Sequence, residues 1–148
     1  MPEKSDVVWA ENINYWKTGR SSPDTWIAKA RRELESVGGV VTGEGFGQDT
    51  RTGRAAYMLA FELEDLPYRI VWPVLLSKNG DHLAARRQAA TALYHDVKAR
   101  CVSLRFLGSG AMFGYLVLPD GRQAATVSAP ELAQMVPTRL LAASTTTD

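Results

Sequence analysis

Between Asp81 and Leu107 the chain runs DHLAARRQAATALYHDVKARCVSLRFL, its longest stretch without glycine or proline. Within it Leu83, Ala90, Leu93, Val97, Cys101 and Leu104 recur at three-, four- and seven-residue spacing, which at about 100° per residue puts them on one helical face. Arg87, Thr91, Lys98 and Arg105 fall in a narrow band beside that face. Arg86 points nearer the apolar side, where it must snorkel or find a carboxylate. Asp96 and Arg100 are four apart and are expected to pair. One long amphipathic helix with a basic shoulder is the element the rest of the chain has to accommodate.

The flanking sequence reads as an antiparallel sheet and a shorter helix. Ser22-Pro23-Asp24 has the order N-cap, N1 proline and first-turn carboxylate. Ile27, Ala30, Leu34 and Val37 continue a helix that Gly38-Gly39 should stop with a left-handed cap. Val40 to Gly47 reads as a strand weakened by its glycines. Arg54 to Leu63 alternates, with Tyr57, Leu59, Phe61 and Leu63 sharing a face. Glu64 to Pro67 makes a turn. Tyr68 to Leu76 is a third strand that Pro73 confines to a sheet edge or a break. Met112 to Leu118 reads as a fourth strand closed by Pro119-Asp120-Gly121. Ser128 and Glu131 have capping-box spacing and predict a short helix over about 130–136. The expected fold is α+β: a sheet of about four antiparallel strands against the 81–107 helix, with a shorter N-terminal helix. The expected organisation is an N-terminal arm (1–21), one domain (22–141) and a disordered tail (142–148).

Composition narrows the functional classes. The chain of 148 residues carries a net charge of +1 and one cysteine, so no internal disulfide is available. No apolar run is long enough to span a bilayer, and the N-terminus lacks a signal-peptide pattern, so the expectation is a cytoplasmic protein without a membrane partner. The charge is unevenly spread. Residues 1–65 hold 8 Lys/Arg against 11 Asp/Glu, and residues 66–139 hold 9 against 4, an asymmetry that suits either an acidic partner or mutual neutralisation of the two halves in the fold.

Catalytic chemistry finds little footing. His82 and His95 fall away from Cys101 by helical angle, so no Cys/His pair forms, and Cys101 belongs to the apolar face. Zinc-ligand spacings are absent. The acidic residues Glu62, Glu64 and Asp65 read as a solvated turn before they read as a hard-cation site. The glycines of Val40–Gly47 lead into a polar connection where a phosphate-binding loop would open a helix. No cofactor and no metal are expected, and the protein is expected to be no enzyme.

What remains is the basic band. A line of guanidinium and ammonium groups suits a phosphate backbone, and Arg51 and Arg54, beside the glycine-rich hairpin connection, would extend the track. Tyr15 and Trp16, close to Lys17 and Arg20, together with Trp72 are the candidates for stacking on bases; for the first two, clamping of the arm over the core competes with that role. The order helix, three-stranded meander, long helix over about residues 23–107 resembles the β-β-β-α core of Rad52/Erf-type single-strand annealing proteins, and less closely Whirly-type single-strand binders. The segment YLVLPDGR (Tyr115–Arg122), behind an arginine-rich helix, is similar to small uncharacterised proteins of phages and mobile elements. The first reading is therefore a non-catalytic single-stranded nucleic-acid-binding protein of DNA maintenance or a mobile element, able to form a homo-oligomer, with Arg87, Lys98, Arg105, Arg51 and Arg54 on phosphates. The second is a small protein-interaction or regulatory subunit using an apolar edge around Trp72-Pro73.

Overall fold

A computed structural model of the protein describes residues 7–50 and 52–124. Arg51, the expected 130–136 helix and the expected tail lie outside them. The element order is helix α1 (Pro23–Ser36), strands β1 (Val40–Gln48), β2 (Ala55–Leu63) and β3 (Leu66–Pro73), then helix α2 (His82–Leu107). The strands form one antiparallel sheet in the order β1-β2-β3. Both helices begin where their caps dictate: the Ser22 hydroxyl accepts from the Thr25 N–H, and the Asp81 carboxylate accepts from the Ala84 N–H at 3.1 Å. Helix α1 ends with Gly38 at φ +92°, the left-handed stop its two glycines allow.

Alternation along β2 decides how the layers stack. Tyr57, Leu59, Phe61 and Leu63 are buried, as are Tyr68 and Ile70 of β3, and they meet Leu93, Val97 and Cys101 of α2 and Leu34 of α1 in one core. The opposite sheet face carries Gly43, Gly45 and Gly47 in register with Ala60, Met58 and Ala56, and Met58 there is exposed. The fold is thus two layers, helices on one side of the sheet and small side chains on the other. The β2–β3 turn has two central residues, Glu64 and Asp65, both at positive φ (+52° and +65°), the conformation whose twist matches a tight hairpin.

Two expectations are corrected. Residues 112–118 do not make a fourth strand. Ser109–Tyr115 is a 3-10 helix, after which Leu116 and Val117 form only isolated bridges, Leu116 opposite Tyr68 and Val117 opposite Gln123. Glycines at 108, 110 and 114 interrupt the alternation, and the turn buries Met112 and Leu116, four apart, into the core. Leu83 also leaves the apolar face: it is exposed in the first turn of α2, while Ala84 and Ala85 next to it are buried.

The segment before α1 is fastened to the body. The Ala10 N–H donates to the Leu76 carbonyl at 2.8 Å, and the Glu11 carboxylate accepts from the Ser77 hydroxyl and the Lys78 N–H. From α2, the Gln88 amide nitrogen reaches the carbonyls of Ala10, Ile13 and Asn14 at 2.7–3.1 Å. One buried glutamine thereby shares its two N–H donors among three carbonyls of a segment that has little regular structure of its own.

The close approach after α1 gives a stability test. A Cβ on Gly39 would sit 2.8 Å from the Leu34 carbonyl oxygen, whereas one on Gly45 meets nothing within 4 Å. Gly39→Ala should cost about 1–3 kcal/mol through forced backbone shifts, while Gly45→Ala should gain about 0.5 kcal/mol by removing strand-glycine entropy. Urea unfolding of the two variants checks the opposite signs.

Candidate nucleic-acid interface

The residues expected to hold a strand are distributed over α2 and the sheet end. Near its start, Arg86 donates to the Tyr57 hydroxyl at 3.3 Å and lies 4.1 Å over the Phe46 ring. Arg86 therefore finds an aromatic partner in place of a carboxylate, and its contacts fix that end of α2 against the β1–β2 hairpin end of the sheet. Arg54 belongs to that same end: its carbonyl accepts from the Asp49 N–H at 2.7 Å, and its half-buried side chain keeps Nε away from solvent. Trp72, opposite Tyr57 in the sheet, packs against the core. Lys98 and Arg105 lie 12 and 19 residues beyond Arg86, about 18 and 28 Å along the axis at 1.5 Å per residue. The structure places Arg54 at the other end of α2 from them.

The basic band is also unequal along its length. Its first half is closed in: Thr91 is buried with its hydroxyl bonded to the Arg87 carbonyl at 2.7 Å, and Arg87 is half-buried with Nε shielded from water. The N-terminal segment lies alongside. Tyr15 stacks on His95 with ring centres 4.9 Å apart, Trp26 of α1 packs against Tyr94, and Lys17 pairs with Asp81 at 3.1 Å. Tyr15 and Lys17 hold positive φ values (+71° and +53°), so this path is fixed at some backbone cost. Trp16 is partly buried against the core. The backbone N–H of Ala84 and then the Lys17 ammonium hold the Asp81 carboxyl below the usual carboxylate range.

The second half of the band is open. Lys98 and Arg105 are exposed, and neither has an ion-pair partner among the described residues. The expected Asp96–Arg100 pair does form, at 2.9 Å, on another face of the helix, where Arg100 also lies 4.4 Å over the Tyr115 ring and the Tyr115 hydroxyl donates to Asp96. Burial, with the Asp96 carboxylate beside it, pushes the Tyr115 phenol well up.

One participant went unnoticed in the sequence. Phe106 is 84% exposed, with Val102 and Leu107 also exposed beside it. Lys98, Val102, Arg105 and Phe106 span an arc of about 100° on the last turns of α2. The signal was present: Phe106 stands well off the stripe that runs from Ala90 through Val97 to Cys101. An aromatic outside the apolar stripe and next to an arginine is a candidate contact residue.

No other chemistry assembles on the described residues. Cys101 is buried in the core, and burial pushes its thiol up to about 11, the Glu33 charge adding and Arg105 opposing. No group of three or more His, Cys, Asp or Glu among the described residues could hold a metal ion. Glu64 of the acidic turn accepts from the Ser109 hydroxyl at 2.6 Å. No described helix is long and apolar enough to cross a membrane. Comparison of the chain with protein-family models, with curated proteins and with solved structures returns no match.

The Cys101 environment gives a pH test. A thiol raised from 9.0 to about 11 in the folded state contributes stability that is complete below pH 9 and is lost as the pH rises through 11, on the order of 2–3 kcal/mol. Chemical denaturation between pH 8 and about 11 should show that decline, and Cys101→Ala should flatten it. Alkylation of native Cys101 by iodoacetamide at neutral pH should be far slower than in the unfolded chain.

Proposed function

We propose that the protein binds single-stranded nucleic acid without catalysis, through the exposed last turns of α2, in a DNA-maintenance or mobile-element setting. The observation that carries this reading is a pair of exposed cations, Lys98 and Arg105, without an ion-pair partner among the described residues and beside an aromatic ring that is 84% exposed. Cations neutralise phosphates and release counterions. A phenylalanine face accepts any base by stacking. The observed order α1, β1–β3, α2 is consistent with this reading, since it is the element order on which the likeness to single-strand annealing proteins rests. In this proposal Lys98 and Arg105 take phosphates and Phe106 takes a base. Arg87 and Arg54, half-buried toward the other end of α2, would act only on a longer strand, and Arg51 keeps its proposed role on a phosphate; Tyr15, Trp16 and Trp72 would stack on bases only after leaving their present contacts.

A second reading is favoured by Val102 and Phe106, exposed apolar residues four apart on one face of the same turns, with Leu107 exposed next in sequence. A protein-interaction or regulatory subunit would use this face as a docking ridge for a partner, and the apolar edge around Trp72-Pro73 is less suited, because Trp72 packs against the core.

Fluorescence anisotropy with labelled single-stranded DNA and RNA across a salt series separates the two. Two phosphate contacts predict a log–log salt slope of about −1.4 for single strands. Charge reversal at Lys98 and Arg105 should abolish the slope, and Phe106→Ala should weaken binding by about 1–3 kcal/mol. Absence of binding at low salt sinks the nucleic-acid reading and leaves the docking ridge, which would tolerate Lys98→Glu but not Phe106→Asp.

A further inference from the structure

The turn Ser77-Lys78-Asn79-Gly80, between β3 and α2, fastens two parts of the fold. Glu11 of the N-terminal segment accepts from the Ser77 hydroxyl and the Lys78 N–H at 2.7 and 3.0 Å. The Ser77 hydroxyl oxygen also accepts from the N–H groups of Asn79 and Asp81, both at 3.2 Å. Asp81 then caps α2 and pairs with Lys17. We propose that Asn79-Gly80 is a site of spontaneous covalent modification, where the asparagine converts through a cyclic imide to isoaspartate and aspartate.

Three observations single out this asparagine. Asn79 and Gly80 are both exposed, and the Asn79 side-chain amide has no hydrogen-bond partner among the described residues, so it is free to turn toward the main chain. Gly80 has no Cβ to hinder an approach to its nitrogen, and nothing lies within 4 Å of where a Cβ would stand. Its N–H makes only a long turn bond, 3.3 Å to the Ser77 carbonyl. The other asparagines of the chain, Asn12 and Asn14, precede Ile13 and Tyr15, whose side chains crowd the attacking nitrogen. The turn at Asp120-Gly121 offers a contrast. Its carboxylate accepts from the Arg122 N–H and Nε, and Arg122 keeps it below the usual carboxylate range. An anionic carboxylate has no group to expel, whereas the amide of Asn79 leaves as ammonia.

The conversion needs water and no oxidant. The Gly80 nitrogen attacks Cγ of Asn79; the N–Cγ bond forms as the Cγ–Nδ2 bond breaks, and Nδ2 leaves as ammonia with the proton that Gly80 gave up. Water then opens the imide. Addition at Cγ gives aspartate, and addition at the main-chain carbonyl of Asn79 gives isoaspartate, with the backbone running through Cγ. Either product adds a negative charge in the turn that Glu11 grips. Isoaspartate also adds one carbon to the main chain between Lys78 and Gly80, which displaces the Glu11 clasp relative to the Asp81 cap.

Neither the site nor its test involves nucleic acid. After incubation of the full chain at pH 8, the peptide containing Asn79 should gain one dalton, and an isoaspartyl methyltransferase should label it. Peptides containing Asn12 and Asn14 should keep their mass. Asn79→Gln, whose imide ring is larger by one atom, should slow the gain by about tenfold or more. Ion exchange separates modified from unmodified chains, and the Ala10 amide, bonded to the Leu76 carbonyl, should exchange hydrogen faster in the modified one. A mass that stays fixed at Asn79 while the free peptide of residues 77–82 converts would overturn the proposal, as would equal gains at Asn12 and Asn14. Equal exchange in the two chains would overturn the displaced clasp.

Discussion

One apolar sheet face has to be hidden, and the arrangement of everything else follows from it. Tyr57, Leu59, Phe61 and Leu63 alternate along β2, and Tyr68 and Ile70 continue the same surface on β3. A one-residue slip in either pairing would turn the whole set toward water, so the burial fixes the register as well as the layering. Only α2 is long enough to cover that surface, and its alanines and Leu93, Val97 and Cys101 form the matching face. Helix α1 then fills the remaining side with Ile27, Ala30 and Leu34, and the Arg31–Glu44 ion pair ties it to β1. The opposite sheet face sets Gly43, Gly45 and Gly47 beside Ala60, Met58 and Ala56, so β1 adds no side chains to it at those positions.

Much of this was legible because local chemistry and tertiary packing agree. Ser22 caps α1 as its position foretold, Gly38 takes the left-handed stop, and β2 alternates as its side chains require. The 112–118 segment was misread because an apolar run bounded by glycines fits a strand and a tight buried turn equally well by composition. Only the position of β3 shows that this segment closes the core's end. Leu83 differs for a similar reason: helical angle places it on the stripe, but nothing in sequence says which first-turn residues the fold covers, and it covers Ala84 and Ala85 instead.

The candidate site was less legible, since exposure is a property of neighbours. Helical spacing put Arg87, Thr91, Lys98 and Arg105 in one band, yet the segment carrying Tyr15 and Lys17 closes over the first half of it. No local signal announces that covering. The tie itself comes from Gln88, which an amphipathic reading files as one more polar helix residue. Phe106 was hidden by the opposite error, because a phenylalanine is assumed to lie in the core until a structure shows it facing water.

Helix α2 has a mechanical consequence beyond its packing. Its 26 residues form one uninterrupted rod, about 39 Å long at 1.5 Å per residue. Its buried residues run from Ala84 to Cys101, and for a rotation about Val97 the Gln88 amide would lie about 13 Å from the pivot. A tilt of about 5° imposed by whatever grips the last turns would displace the Gln88 amide by roughly 1 Å, enough to break hydrogen bonds of 2.7–3.1 Å. The same rod that supports the sheet would then act as a lever, and occupancy at one end would be felt as slack in the N-terminal segment at the other.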